Sequence, residues 1–174
     1  FVSFRKEIVT KRTLFDLDKA RSRAHVLIGL AIAVANIDEI IALIKSSKDS
    51  TEAKNRLLNK KWNCESIRTL IKVIEDYDTD DKTEYLLALS ETQAKAILEI
   101  RLQRLTGLER SKIEEDLKEV AKKIKEYLDI LSSKKLLLEI IKKELTSVKE
   151  LFGLERRTKI IESDQDKNIE DFIE

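Results

Sequence analysis

A single apolar ladder constrains this chain more than any other feature. It climbs in alternating steps of three and four through Ile113, Leu117, Val120, Ile124, Tyr127, Leu131, Lys134, Leu138, Ile141, Leu145, Val148 and Phe152, with Lys134 its one polar rung. Such steps place every rung on one side of an α-helix. Forty residues of helix at about 1.5 Å each make a rod of roughly 60 Å. An apolar stripe of that length needs a second helix along most of it. Ser132-Ser133 lies within the ladder without shifting its phase, which allows a local bend, and Gly153 ends it.

The partner is supplied by the beginning of the chain. Leu14, Leu17, Ala24, Ile28, Ala31 and Ala35 form one ladder in which Arg21 is the polar member. Ala20, Leu27, Leu30, Val34, Ile37, Ile41 and Ile44 form a second, with Arg23. Residues 4 to about 45 therefore read as one long helix, apolar on more than one side from Leu27 onward, where a stalk enters a globular head. With no proline and only three glycines (Gly29, Gly107 and Gly153), almost nothing interrupts helix. Charged residues at 39% and aromatics at 5% fit long amphipathic helices with a narrow seam.

Between the arms, residues 46–50 (SSKDS) are a polar break, and Ser50 or Thr51 is placed to cap a short helix from Glu52 to Asn59. Trp62, the only tryptophan, is expected to pack in the head. Glu65 to Glu75 reads as a helix with Ile67, Leu70, Ile71 and Ile74 on one side, and residues 75–82 as an acidic loop. After a short apolar entry, Tyr85 to Leu89, comes the most strongly punctuated stretch, Leu89 to Glu109. Ser90 is a good N-cap and Gln93 completes a capping box. Ala94, Ile97, Leu98, Arg101, Leu102 and Leu105 share one side, and Thr106-Gly107 reads as the C-terminal cap. That apolar side has two uses: burial in the chain's own head, or contact with a second copy.

The fold class expected is all-α, a long antiparallel two-helix coiled-coil stalk bearing a small helical head. The boundaries fall at 1–36 for the outgoing arm, 37–108 for the head, 109–153 for the return arm and 154–174 for a polar, acidic linker. Lysine plus arginine is 34 against 33 for aspartate plus glutamate, so net charge says nothing about an anionic partner. The lone Cys64 excludes an internal disulfide framework and fits a reducing cytoplasm, as a buried or half-buried thiol. No N-terminal stretch resembles a signal peptide. The longest apolar run, Val26 to Ala35, is ten residues, about half a membrane span, so no membrane partner is expected.

Local chemistry is sparse. Asp76, Asp78 and Asp80 have the first spacings of a calcium loop, but Asp81 stands at its glycine position and Leu87 at its glutamate. His25 has no cysteine or second histidine to join it as a ligand, and reads as a packing or surface residue. No nucleophile–base pair, metal cluster or phosphate loop appears.

Three stretches carry a resemblance. FRKEIVTKRTLFDLDKARSRAHVLIGL (Phe4 to Leu30), LSETQAKAILEIRLQRLTGLERSKI (Leu89 to Ile113) and LFGLERRTKI (Leu151 to Ile160) closely resemble the DNA gyrase A subunit family of type IIA topoisomerases. RLQRLTGLE (Arg101 to Glu109) favours gyrase over the related topoisomerase IV subunit, whose equivalent remains the alternative, beside an independent helical nucleic-acid-binding module. The likeness covers nearly the whole chain apart from residues 46–84 and the acidic tail.

The resemblance implies the coiled coil that ends in the primary dimer interface, the exit gate for a transported duplex. Ala94, Ile97, Leu98, Leu102 and Leu105 would then meet a second copy, with Arg101 or Gln103 at the rim. Lys11, Arg12, Arg21 and Arg23 would be the candidates for facing double-stranded DNA, a solvated stalk surface being the alternative; Arg156-Arg157 is a weaker one. In the family the nucleophilic tyrosine follows an arginine, whereas Tyr77, Tyr85 and Tyr127 follow Asp76, Glu84 and Glu126. The resemblance therefore implies no catalytic residue, cofactor or metal in this segment. It assigns Mg2+ and ATP to the gyrase B subunit, the partner in the parent A2B2 complex, which is an ATP-dependent enzyme.

Overall fold

The computed structural model describes residues 1–75, 86–100 and 107–158. In order these form α1 (Val2–Ala35), α2 (Ile37–Ser46), α3 (Ser50–Asn59), β1 (Lys61–Asn63), a single 3-10 turn (Glu65–Ile67), α4 (Arg68–Glu75), β2 (Leu86–Ala88), α5 (Glu91–Leu98), α6 (Gly107–Ser132) and α7 (Lys134–Phe152). The fold is all-α with one small antiparallel ribbon.

The ladders do the main work of assembly. α1 and α6 pack along each other, and Leu17, Ala24, Ile28 and Ala31 share one core cluster with Ile113, Leu117, Val120, Ala121 and Ile124. A fully buried Leu or Ile contributes about 1.5–3 kcal/mol, so a handful of these rungs outweighs any surface interaction in the molecule. From Leu27 the first helix is buried on more than one side, as its two ladders require: Leu27, Ile28, Gly29, Ala31, Ile32, Ala33 and Val34 are all inside. α4 lays Ile71 and Ile74 on this core, and the 3-10 turn adds Ile67, with Leu70 half-covered.

The single helix expected over residues 4–45 is instead two, meeting at 89°. The apolar rhythm runs straight through the corner, so periodicity alone gives no warning of it. Asn36 is the cause. Its side-chain amide donates to Ile32 O and to Asn63 O, both at 2.9 Å, and so fastens the end of α1 to β1, twenty-seven residues further on. No single helix among the described residues is long and apolar enough to cross a membrane.

Beyond the corner, α3 is capped by Asp49, whose carboxylate accepts from Glu52 N at 2.7 Å, rather than by Ser50 or Thr51. Trp62 is 1% exposed, with its indole N–H given to Leu57 O at 3.0 Å, as an enclosed indole requires. It sits on β1, which pairs with β2 in the register Lys61↔Ala88, Trp62↔Leu87 and Asn63↔Leu86. Each strand has only three residues, too short for an alternation pattern to reveal. Cys64 is buried, and burial pushes its thiol up from the ordinary value. The acidic stretch 76–85, including the aspartates of the calcium-like spacing, lies outside the described residues.

The central helix is shorter than its sequence suggests. α5 stops at Leu98, with Glu99 as its C-cap, and Gly107 opens α6 rather than closing α5. α5 settles on α1 at Gly29. A methyl group at that position would stand 2.7 Å from both Cβ and Cγ of Gln93. The return arm is two helices, α6 and α7, divided at Ser133. Residues from Lys142 onward form a second unit, in which the rungs Leu145 and Val148 are exposed and α7 ends at Phe152. A Cβ on Gly153 would collide with the carbonyl of Lys149.

Two outcomes follow for stability and reactivity. In an exposed helix, Gly→Ala gains about 0.5–1 kcal/mol. Gly29→Ala is expected to do the opposite, because overpacking at about 1–3 kcal/mol outweighs that gain, lowering Tm by roughly 2–8 °C. A thermal midpoint unchanged or raised would contradict the close seating of α5. Cys64 is expected to react with a thiol reagent at pH 8 at a small fraction of its rate in denaturant, since it is both covered and held protonated; equal rates would contradict its burial.

Candidate functional site: the α5 tip and the basic face of α1

The tip is built from a polar cluster that joins α5 to α1. Ser90 caps α5: its hydroxyl accepts from Gln93 N at 3.3 Å while Gln93 Oε1 accepts from Ser90 N at 2.9 Å, the reciprocal pair expected of a capping box. Gln93 has a second task. Its amide donates to His25 O at 2.8 Å, and His25 Nε2 lies 2.7 Å from Ser90 Oγ. Gln93 is 2% exposed, yet no buried side-chain polar atom among the described residues lacks a partner. A buried amide left unpaired costs about 1–3 kcal/mol, so this pairing fixes where α5 can sit. Lys54 and Glu91, 3.3 Å apart, add an exposed tie from α3, worth no more than about 1 kcal/mol.

Burial on α5 departs from the expected outward apolar side. Ala94 is fully buried and Ile97 is 5% exposed, both in the chain's own core cluster. Glu91, Lys95 and Glu99 point to solvent. The reason is Gly29, which lets the helix sink onto α1 until its apolar side is enclosed. Leu98 differs: it is half-buried and lines a shallow surface cleft with Ser50, Thr51, Lys54, Lys95 and Glu99. Arg101, Leu102, Gln103 and Leu105 lie outside the described residues.

The four basic candidates on α1 divide between faces. All are exposed. Arg12 and Arg23 are eleven residues apart, close to three full turns, and share a face. Arg21 lies on another, and Lys11 is one residue, or about 100°, from Arg12. Two cations that sequence reasoning missed complete the shared face: Arg5 and Lys19, each seven residues from Arg12. Arg5, Arg12, Lys19 and Arg23 make a basic row roughly 27 Å long. The signal was available in the seven-residue spacing of Arg5, Arg12 and Lys19, masked by a whole-chain balance of 34 bases against 33 acids. Lys11 has a partner on its own helix: its ammonium is 2.7 Å from Glu7, and by hydrogen bond and charge holds that carboxyl below its ordinary range. What this exposed pair contributes is present above the ordinary carboxylate range and lost as pH falls through the lowered value. Arg156 and Arg157 are exposed, with Arg156 Nε donating to Thr158 Oγ1 at 3.2 Å.

Among the described residues no three His, Cys, Asp or Glu side chains come together to hold a metal ion. His25 is occupied with α5.

Comparison with known proteins gives these surfaces a context. The family model for the A subunit of DNA gyrase/topoisomerase IV matches residues 1–146. The DNA gyrase A subunit of Rickettsia typhi is 50% identical over 174 residues, covering 100% of this chain and 19% of the relative. The same subunit of Granulibacter bethesdensis is 43% identical over 174 residues, covering 100% and 18%. That of Pseudomonas aeruginosa is 42% identical over 184 residues, covering 99% and 20%. The chain thus spans about a fifth of the length of the curated relatives it matches. A match over most of its length, with identity of this order across all of it, means that the chain belongs to the family of DNA gyrase/topoisomerase IV A subunits.

Proposed function

We propose that this chain is the exit-gate dimerisation module of a DNA gyrase A subunit, within an ATP-dependent enzyme that alters supercoiling by passing one duplex through a double-strand break. The observation that carries the reading is the 50% identity, across all 174 residues, to a gyrase A subunit. α1 and the return arm serve as an antiparallel coiled-coil stalk, and the head between them meets its symmetry mate. A two-fold contact of this kind sets the same patch against itself. With Ala94 and Ile97 spent on the chain's own core, the contact is left to Leu98, Leu102 and Leu105, with Arg101 at its rim. α5 serves as the platform.

In this reading the segment makes and breaks no bonds, and no cofactor is held by it; Mg2+ and ATP act through the B subunit of the A2B2 complex, in the cytoplasm. The basic row Arg5, Arg12, Lys19 and Arg23 supports a second reading, in which α1 holds double-stranded DNA in its own right, through phosphate contacts that weaken steeply with salt.

Sedimentation of the chain at micromolar concentration separates the two. The gate reading predicts a dimer that Leu102→Glu converts to a folded monomer, weakening association by roughly 30-fold or more, since a central apolar anchor is worth about 2 kcal/mol or more. A monomer in the unsubstituted chain would sink it. Arg12→Glu with Arg23→Glu is expected to leave the dimer intact; a salt-dependent affinity for duplex DNA that these two changes abolish and Leu102→Glu does not would favour the second reading.

A further inference from the structure

The two paired helices of the stalk turn different faces to solvent. On α6 the side away from the core carries Glu115, Glu119, Lys122 and Glu126, and among its described side chains no large apolar one is exposed. A helix side of mixed charge needs only water. The outer side of α1 is unlike it. Opposite the buried Val9, Thr13 and Leu17 stand Phe4, 63% exposed, Ile8, 37%, and Phe15, 67%. At about 100° per residue these three lie within about 40° of one another, in a stripe about 16 Å long.

The basic row borders this stripe on one side. Lys19 and Arg12 stand about 60–80° round the helix from Phe4, and Arg5 and Arg23 about 100°. Across the sector from Phe4 round to Arg23, residues 1–23 place no acid. Their three acids lie outside it: Glu7 and Asp18 beyond the stripe, where Glu7 holds Lys11 at 2.7 Å, and Asp16 beyond the row. A single exposed phenylalanine is ordinary, but rings aligned on one face beside one-sided positive charge mark a contact surface.

We propose that this face of α1 binds single-stranded nucleic acid, Phe4 and Phe15 stacking on open bases while Arg12, Lys19 and Arg23 follow the phosphates. Positive charge along one edge calls for a polyanion. A duplex offers its phosphates but keeps its bases stacked inside, so it leaves both rings in water. A single strand offers phosphates and bases together, and stacking on aromatic side chains tolerates any base. An anionic bilayer fits less well, because it presses Glu7 and Asp18 against its own negative charge. The proposal shares its basic row with the second reading above and differs from it in the rings, which only a strand with open bases can use.

Fluorescence anisotropy at low salt compares a labelled oligothymidylate with a labelled duplex of the same length. The strand is expected to bind roughly tenfold more tightly or better. Phe15→Leu keeps apolar bulk and removes the ring; it is expected to weaken strand binding about fivefold, and Phe4→Leu with Phe15→Leu about 30-fold, with duplex binding unchanged. Phe15→Tyr is expected to hold the parent affinity. Arg12→Glu with Arg23→Glu is expected to weaken both probes. All these side chains are exposed, so each variant is expected to keep native helicity, which circular dichroism checks. A duplex bound as tightly as the strand, or leucine variants that bind the strand like the parent chain, would overturn the proposal and leave the second reading standing. Binding of neither probe would overturn both and leave the stripe to be covered by other parts of a longer subunit. Binding to anionic phospholipid vesicles but not to the strand would overturn it in favour of a lipid surface.

Discussion

The contact of Gln93 with Gly29 is the constraint on which the head depends. There the helix of the tip comes down on the arm, and the approach needs both a residue without a side chain and an amide whose oxygen and nitrogen are each engaged. Once α5 is seated there, Ala94 and Ile97 fall into the core and Leu98 is left at the surface beside α3. Anything the tip presents to a partner is therefore positioned by α1. The arm and the platform are one mechanical part.

The ribbon and the corner at Asn36 serve the same end. Asn36 turns the chain and holds Asn63, Asn63 pairs with Leu86, and β2 leads within three residues to the capping residue of α5. The short strands contribute little energy of their own. They set where the last segment before the tip must run, so that Ser90 arrives beside His25. Exposed ion pairs such as Lys60 with Glu39, 2.6 Å apart, decorate this frame without determining it.

Much of this was readable in the sequence wherever the cause was local. The capping box at Ser90 and Gln93 depends on residues three apart, the burial of Trp62 on its type, and the interruption at Ser132-Ser133 on two poor helix formers side by side. What escaped was non-local. The 89° corner follows from a hydrogen bond to a residue twenty-seven positions away, and the inward roll of α5 from a glycine more than sixty positions earlier. An apolar helix side says that something will cover it, not what. For Ala94 and Ile97 the cover is the chain itself, and the basic row on α1 emerged only when its exposed face was known.

The central claim is that two copies meet at the leucines that α5 carries just beyond its end. A single cysteine at Leu102, in a Cys64→Ser background, tests it most directly. Mild oxidation of the native chain is expected to give a covalent dimer in high yield, while a cysteine at Lys122, on the exposed side of α6, gives none. Cross-linking no faster at position 102 than at position 122 would contradict the account.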